Sequence, residues 1–378
     1  MLAVEKVREL FPYIKKGKIY FNHASTGPIS LRVLNRLSEL LKERSEDEMD
    51  DYTARMQAAE ESKNILSEMI NCDTDRLAFV DNTSNGINIV AQGVRWKKGD
   101  RVLLNDLEFP ANVYPFLNLE KEGVIIDFIK SMNGRVTADD VIANIKEDTR
   151  LVAISYVQFL TGYRADLQKI GGVCKEKGII FSVDGIQGLG AIRPDVKKYN
   201  IDFLSAGTQK WLLGLQGAGF IYISKKLQDE IEPKFVGWLG VKDAWNLLSY
   251  DLTFLDTAER FQTGTINTFG LFAVHESLKL FKEFGFDEAE KNVLSNSRYL
   301  IESLQGIGID PILKDCSDSN IAGIVSFKHQ NAGTLFKRLS EKNVVAAMRE
   351  GMVRLSPHFY NTREEINKVI EILKELQS

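Results

Sequence analysis

Ile179-Ile180-Phe181-Ser182-Val183-Asp184-Gly185-Ile186-Gln187 is an apolar run that ends in an acid, and Asp202-Phe203-Leu204-Ser205-Ala206-Gly207-Thr208-Gln209-Lys210-Trp211 is a second that ends in a polar turn and a lone lysine. Short apolar runs bounded by turn residues read as strands buried on both faces. The two stretches therefore set a carboxylate, Asp184, and an amine, Lys210, at the carboxyl ends of core strands, where open α/β sheets bind their ligands. Gly188, Gly190, Gly214, Gly217 and Gly219 flank them and permit tight turns near a buried ligand.

Working outward, strand patterns recur at 77–80, 101–105, 124–129, 151–157, 179–184, 203–206 and 219–224, with helical stretches such as 84–94 and 167–177 between them. That alternation predicts a mostly parallel seven-stranded sheet with helices on both faces. A charged segment, 30–70, reads as one or two exposed helices. After about residue 280 the texture changes to helix, strand (324–327), helix (332–340), two short strands (344–348 and 353–356) and a last helix from Thr362. A large domain over 16–280 and a smaller C-terminal α/β domain over 281–378, joined by the segment 1–15, is the expected organisation. A chain of 378 residues exceeds the size at which one core keeps growing.

Composition narrows the class of function. Hydrophobic content of 44% and charged content of 26% are ordinary for a globular protein, and a net charge of −4 leaves no basic footprint for nucleic acid. Cys72, Cys174 and Cys316 form neither a metal pair nor an even disulfide set, which suits a reducing cytoplasm. The first ten residues read as an amphipathic helix with acids inside it rather than a secretory leader, and no run is long and apolar enough to span a membrane. The scattered histidines give no metal-ligand spacing.

The strand-end pair meets the needs of pyridoxal 5′-phosphate, which is held as an imine on a lysine and keeps its ring nitrogen protonated beside an anion. A phosphate site is offered by Asp81-Asn82-Thr83-Ser84-Asn85-Gly86, which closes a strand and opens a helix; Ser84 and Asn85 are the favoured ligands. By itself the motif also fits a helix N-cap with a turn glycine. In Asp106-Leu107-Glu108-Phe109-Pro110-Ala111-Asn112, Phe109 stands where a flat side chain can stack on a ring, with core packing as the alternative.

Together these segments resemble the class V aminotransferase family, fold type I pyridoxal-phosphate enzymes that include cysteine desulfurases, isopenicillin N epimerases and kynureninases. The resemblance runs from Tyr20-Phe21-Asn22-His23-Ala24-Ser25-Thr26-Gly27-Pro28 to Val353-Arg354-Leu355-Ser356-Pro357-His358-Phe359-Tyr360-Asn361-Thr362. It implies Lys210 as the Schiff-base lysine, Asp184 as partner of the pyridine nitrogen and Gln187 as partner of the phenolic oxygen. Gln209 would sit near the phosphate, and Thr265 would reach the phosphate of the neighbouring subunit in a homodimer with shared sites. Arg354 matches the arginine that binds the substrate carboxylate. Arg349 is a second candidate, its alternative being a surface ion pair with Glu350 or another acid. His23, in the N-terminal loop, is a candidate for substrate recognition or a hydrogen-bonded loop residue, and His358 is expected to be structural.

The chemistry expected is attack of an amino acid to form an external aldimine, then removal of its α-proton by Lys210. Transamination is the first expectation, with C–S β-lyase or epimerase activity as alternatives. Desulfurases of the family carry a cysteine on a loop between two C-terminal arginines, whereas only Glu350-Gly351-Met352-Val353 separates Arg349 from Arg354, so a Cys-dependent desulfurase is not expected. Cys316 reads as a loop or core thiol. Two rival classes fare worse. Gly185-Ile186-Gln187-Gly188-Leu189-Gly190 lacks the glycine order of a nucleotide-binding dehydrogenase, and a catalytically silent binder would have no reason to keep the lysine, aspartate and arginine together.

Overall fold

The computed structural model describes residues 2–47 and 52–375. Seven strands, β1 (Leu77–Val80), β2 (Arg101–Asn105), β3 (Ile125–Ile129), β4 (Thr149–Ser155), β5 (Ile180–Asp184), β6 (Phe203–Gly207) and β7 (Gly219–Ile223), form one sheet in the order β1-β7-β6-β5-β4-β2-β3. Neighbours pair in parallel, except that β7 runs antiparallel to β6 and β1. Side chains alternate between the two faces: Val152, Ile154, Phe181, Val183 and Leu204 join one apolar cluster, and Leu151, Ala153, Ile180 and Phe203 join another. Burying each such side chain stabilises the fold by roughly 1.5–3 kcal/mol, so the register is strongly fixed. That register aligns Ser155, Asp184 and Ser205 side by side. The reactive end of the sheet is thus set by its core.

The crossover helices have local causes. Leu167–Lys177 begins where the Asp166 carboxylate accepts the Lys169 N–H and ends at Gly178 with φ +67°. Thr83–Gly93 begins at Asn82, whose side chain accepts from the Asn85 N–H. The charged segment becomes Leu31–Glu46, capped by Ser30, and Tyr52–Ile70, both packed on Thr268–Phe284.

A third apolar cluster lies toward the C-terminus. Strands β8 (Val325–Lys328), β9 (Ala347–Arg349) and β10 (Met352–Leu355) form an antiparallel sheet in the order β9-β10-β8, covered by Ala332–Glu341 and Arg363–Glu375. The expected strand 344–348 is broken in two. Val344–Val345 pairs in parallel with Ile19–Tyr20, while Ala347–Arg349 turns away to pair with β10. Ile19 and Phe21, assigned above to the large domain, therefore pack in the C-terminal cluster. Helix Phe286–Gly306 crosses the division, with Ala289 and Val293 in the large cluster and Leu300, Ile301 and Leu304 in the small one. Among the described residues no helix is long and apolar enough to cross a membrane.

Candidate active site

Asp184 closes β5 and is almost completely buried. Its Oδ1 accepts the Ile186 N–H at 3.0 Å. Burial pushes the carboxyl up to about 6; the Ile186 hydrogen bond opposes this, the Glu108 carboxylate adds to it, and the Lys210 ammonium opposes it. Lys210 follows β6 on a turn in which Leu213, fully buried, holds φ +58°. Burial brings the Lys210 amine down to about 8, against the attraction of Asp184 and with the help of Arg354 and Arg349. These four groups therefore share one electrostatic neighbourhood.

Phe109 supplies the flat wall. Its ring centroid lies 5.6 Å from Lys210 Nζ, and it meets Phe159 edge-on at 5.2 Å. Glu108, the residue before it, is a buried anchor that sequence reasoning did not single out. Its carboxylate accepts from Asn105 Nδ2 (2.6 Å), Asn112 Nδ2 (3.0 Å), Gln158 Nε2 (3.1 Å) and the Ser155 N–H and hydroxyl. This network fixes the loop on both sides of the ring.

Arg354, on β10, is buried and stretches to the large unit, donating from Nη1 to the Phe159 carbonyl and from Nη2 to Ser25 Oγ at 2.8 Å. Its Nε is buried and has no hydrogen-bond partner among the described residues. Burial and then the neighbouring Arg349 bring its guanidinium down to about 10. Arg349, exposed at the end of β9, donates to the Met348 carbonyl and, at 3.5 Å, to the same Ser25 hydroxyl. Ser25 was not singled out either; only its place in the N-terminal loop marked it.

The phosphate turn abuts the lysine turn. Gly207 N–H donates to Thr83 Oγ1 at 2.8 Å and Ser205 Oγ to the Thr83 carbonyl at 3.1 Å, so the helix N-terminus is pinned to the end of β6. Thr83 is a further residue the sequence reading passed over. Ser84 stands at the second helical position, where its N–H has no acceptor within the helix. Asn85 is exposed, bonded to Asp81, and lines a cavity of about 560 Å³ together with Thr265, Gln262 and Gly217. Gln187 is buried between the Trp211 indole, which donates to its Oε1, and the Ala24 carbonyl, which accepts from its Nε2. Gln209 is half-buried; its carbonyl accepts the Gly27 N–H.

For His23 the structure shows a hydrogen-bonded loop residue, one of the two readings its sequence left open. It is fully buried, with Nδ1 against the Ser356 carbonyl and Nε2 against the Tyr360 hydroxyl, both 2.7–2.8 Å away. Burial, with His358 adding, holds its pKa well below the usual range. Both ring nitrogens being occupied, the imidazole ties the N-terminal loop to the C-terminal unit. His358 is buried likewise and bonded to the Trp211 carbonyl. Among the described residues no group of His, Cys, Asp or Glu is placed to hold a metal ion.

The Aminotransferase class-V family model matches residues 19–369. Among curated proteins, "Uncharacterized aminotransferase YcbU" of Bacillus subtilis strain 168 is 27% identical over 97% of this chain and 96% of its own. "Probable cysteine desulfurase" of Methanothermobacter thermautotrophicus is 30% identical over 99% and 98%. Among solved structures, the apo cysteine desulfurase of Thermococcus onnurineus NA1 superposes with a TM-score of 0.88 at 24% identity, covering 100% of this chain and 98% of that one.

Proposed function

The chain belongs to the class V aminotransferase family of pyridoxal-phosphate enzymes, and on that footing we propose that it is an aminotransferase acting on α-amino acids. The donor set fits the cofactor. A buried carboxylate and a lowered amine stand together, a flat ring faces the amine, and a helix N-terminus offers free N–H groups beside them. Lys210, Asp184, Phe109, Ser84, Asn85, Gln187 and Gln209 would hold it. When bound, pyridoxal phosphate supplies a reactive carbonyl carbon and a ring that accepts electrons.

The chain's own groups divide the remaining work. Arg354 is suited to grip the α-carboxylate with its planar fork, which fixes the α-carbon in front of Lys210. Lys210, lowered to about 8, carries a useful fraction of free base near neutral pH and takes the α-proton. Asp184 keeps a proton at the ring nitrogen. Phe109 and Phe159 form one apolar wall.

The observation that carries transamination over epimerisation is the company Lys210 keeps. The charged groups acting on it are Asp184, Arg354 and Arg349, and the wall facing it is the Phe109 ring; none of these arginines or the ring is a base suited to reprotonate from another side. One amine both removes the proton and returns it. Persulfide chemistry is disfavoured by the hairpin joining Arg349 to Met352, where Glu350 (φ +47°) and Gly351 (φ +72°) close the turn and leave no loop for a cysteine. Cys72 and Cys174 are buried thiols pushed up to about 12, chiefly by burial, and Cys316 is buried as well.

A homodimer is part of the proposal. Phe235, Trp245, Leu247, Leu248, Tyr250 and Leu252 are exposed along one segment, an apolar stretch that a second copy would cover, with Thr265 reaching the neighbouring phosphate. Three free thiols suit a reducing cytoplasm. The test is to incubate holoenzyme with single amino acids and a keto-acid acceptor, following keto acid, sulfide and stereochemistry together. Amino-group transfer without sulfide or D-amino acid is the expected result; sulfide release from cysteine, or inversion, would replace this reading.

A further inference from the structure

Two guanidiniums, Arg349 and Arg354, reach one hydroxyl, that of Ser25, at 3.5 and 2.8 Å. Like charges directed at one point repel, and the lowered Arg354 pKa records part of that repulsion. Among the described residues neither is paired with an acid. Among the described residues Arg349 bonds the Met348 carbonyl and Ser25, and Arg354 bonds the Phe159 carbonyl and Ser25. Asp184 would be engaged by the ring nitrogen of the cofactor, and Glu108 accepts from the Asn105, Asn112 and Gln158 side chains and from the Ser155 N–H and hydroxyl. The buried, partnerless Arg354 Nε adds a donor with nothing to meet.

Two unneutralised cations call for two negative charges, and an α-carboxylate provides one. We propose that the substrate is an acidic amino acid, its α-carboxylate on Arg354 and its side-chain carboxylate on Arg349 and the Ser25 hydroxyl. This rests on the reading of Arg354 given above and extends it to substrate class. Arg349 stands at the exposed end of β9 and Arg354 in the interior, so the distal anion lies toward solvent and the α-carbon toward Lys210. A charge-assisted hydrogen bond supplies on the order of tenfold to a hundredfold in affinity, enough to set preference.

The test uses holoenzyme and non-reacting acids, read by calorimetry. Succinate should bind on the order of tenfold or more tightly than butyrate, its near-isosteric mono-acid. Arg349→Gln should bring that ratio close to one, and Ser25→Ala should lower it in the same sense. In turnover, aspartate or glutamate should show a KM below that of asparagine or glutamine, a gap that Arg349→Gln closes. Equal binding of diacid and mono-acid by the wild type, or a ratio untouched by Arg349→Gln, overturns the acidic substrate while leaving an aminotransferase for neutral amino acids. Failure of every amino acid and every carboxylic acid to bind overturns it together with the role given to Arg354.

Discussion

The Lys210 amine stands 5.6 Å from the centre of the Phe109 ring, with the Asp184 carboxylate opposing the lowering of its pKa. That relationship sets the protonation state of the amine. In the cofactor-free protein the neutral fraction rises through pH 8 rather than near the ordinary lysine value, so reductive methylation at Lys210 is expected to be half-maximal close to pH 8. Mass-spectrometric mapping against the surface lysines checks this. A midpoint shared with those lysines would contradict it.

Asp184 moves in the opposite sense. Its folded pKa, about 6, lies above the unfolded value, so between roughly pH 4 and 6 the folded state holds the extra proton and stability declines as pH rises through that window. Asp184→Asn keeps the acceptor for the Ile186 N–H and removes the buried charge. The cofactor-free variant should be more stable than wild type at pH 8 by on the order of 2–3 kcal/mol, the gain vanishing near pH 4. Urea titration at the two pH values measures it, and the same variant should lose activity.

Phe109→Ala should weaken cofactor retention with little effect on folding, because the ring is partly exposed and its edge contact with Phe159 is a single pair. Loss of stacking is worth about 0.5–1.5 kcal/mol beyond area, a few-fold to about tenfold in cofactor Kd. Equilibrium dialysis of the cofactor gives the number; unchanged retention would remove Phe109 from the site.

Glu108→Ala should act on stability first. It strands the side-chain donors of Asn105, Asn112 and Gln158 and the Ser155 N–H in a buried pocket, at about 1–3 kcal/mol for each left unsatisfied. A fall of about 3 kcal/mol or more by chemical denaturation is expected. A change under about 1 kcal/mol would mean that water replaces the carboxylate.

Gly27→Ala tests the seam between the N-terminal loop and the lysine turn. A Cβ there would stand 2.3 Å from the Lys210 carbonyl oxygen and 2.8 Å from Leu213 Cδ2, too close for either to tolerate. Displacement of the lysine turn should lower kcat by more than it raises KM. Wild-type kinetics would show that the loop yields.

What the chain announced and what it concealed follow from range. The strand-end positions of Asp184 and Lys210 were legible because such a position is written locally, in the apolar run that precedes it, and the seven strands fell within two residues of their expected bounds for the same reason. Ser25 and Glu108 were not legible. Ser25 matters through Arg354, 329 positions away, and Glu108 through Ser155, 47 positions away, pairings that only packing brings about. For His23 two readings stayed open, because the groups that occupy its ring, Ser356 and Tyr360, lie at the far end of the chain. The break at Ala346 was hidden because Val344–Val345 and Ala347–Arg349 read as one β-branched and apolar run, yet pair with different partners.

Arg354 is anchored on the small antiparallel sheet, and its hydrogen bonds reach back to the Phe159 carbonyl and to Ser25. The same side chain that would grasp an incoming ligand also latches one half of the molecule to the other. A carboxylate taken up by Arg354 would compete for the very donors that hold this latch.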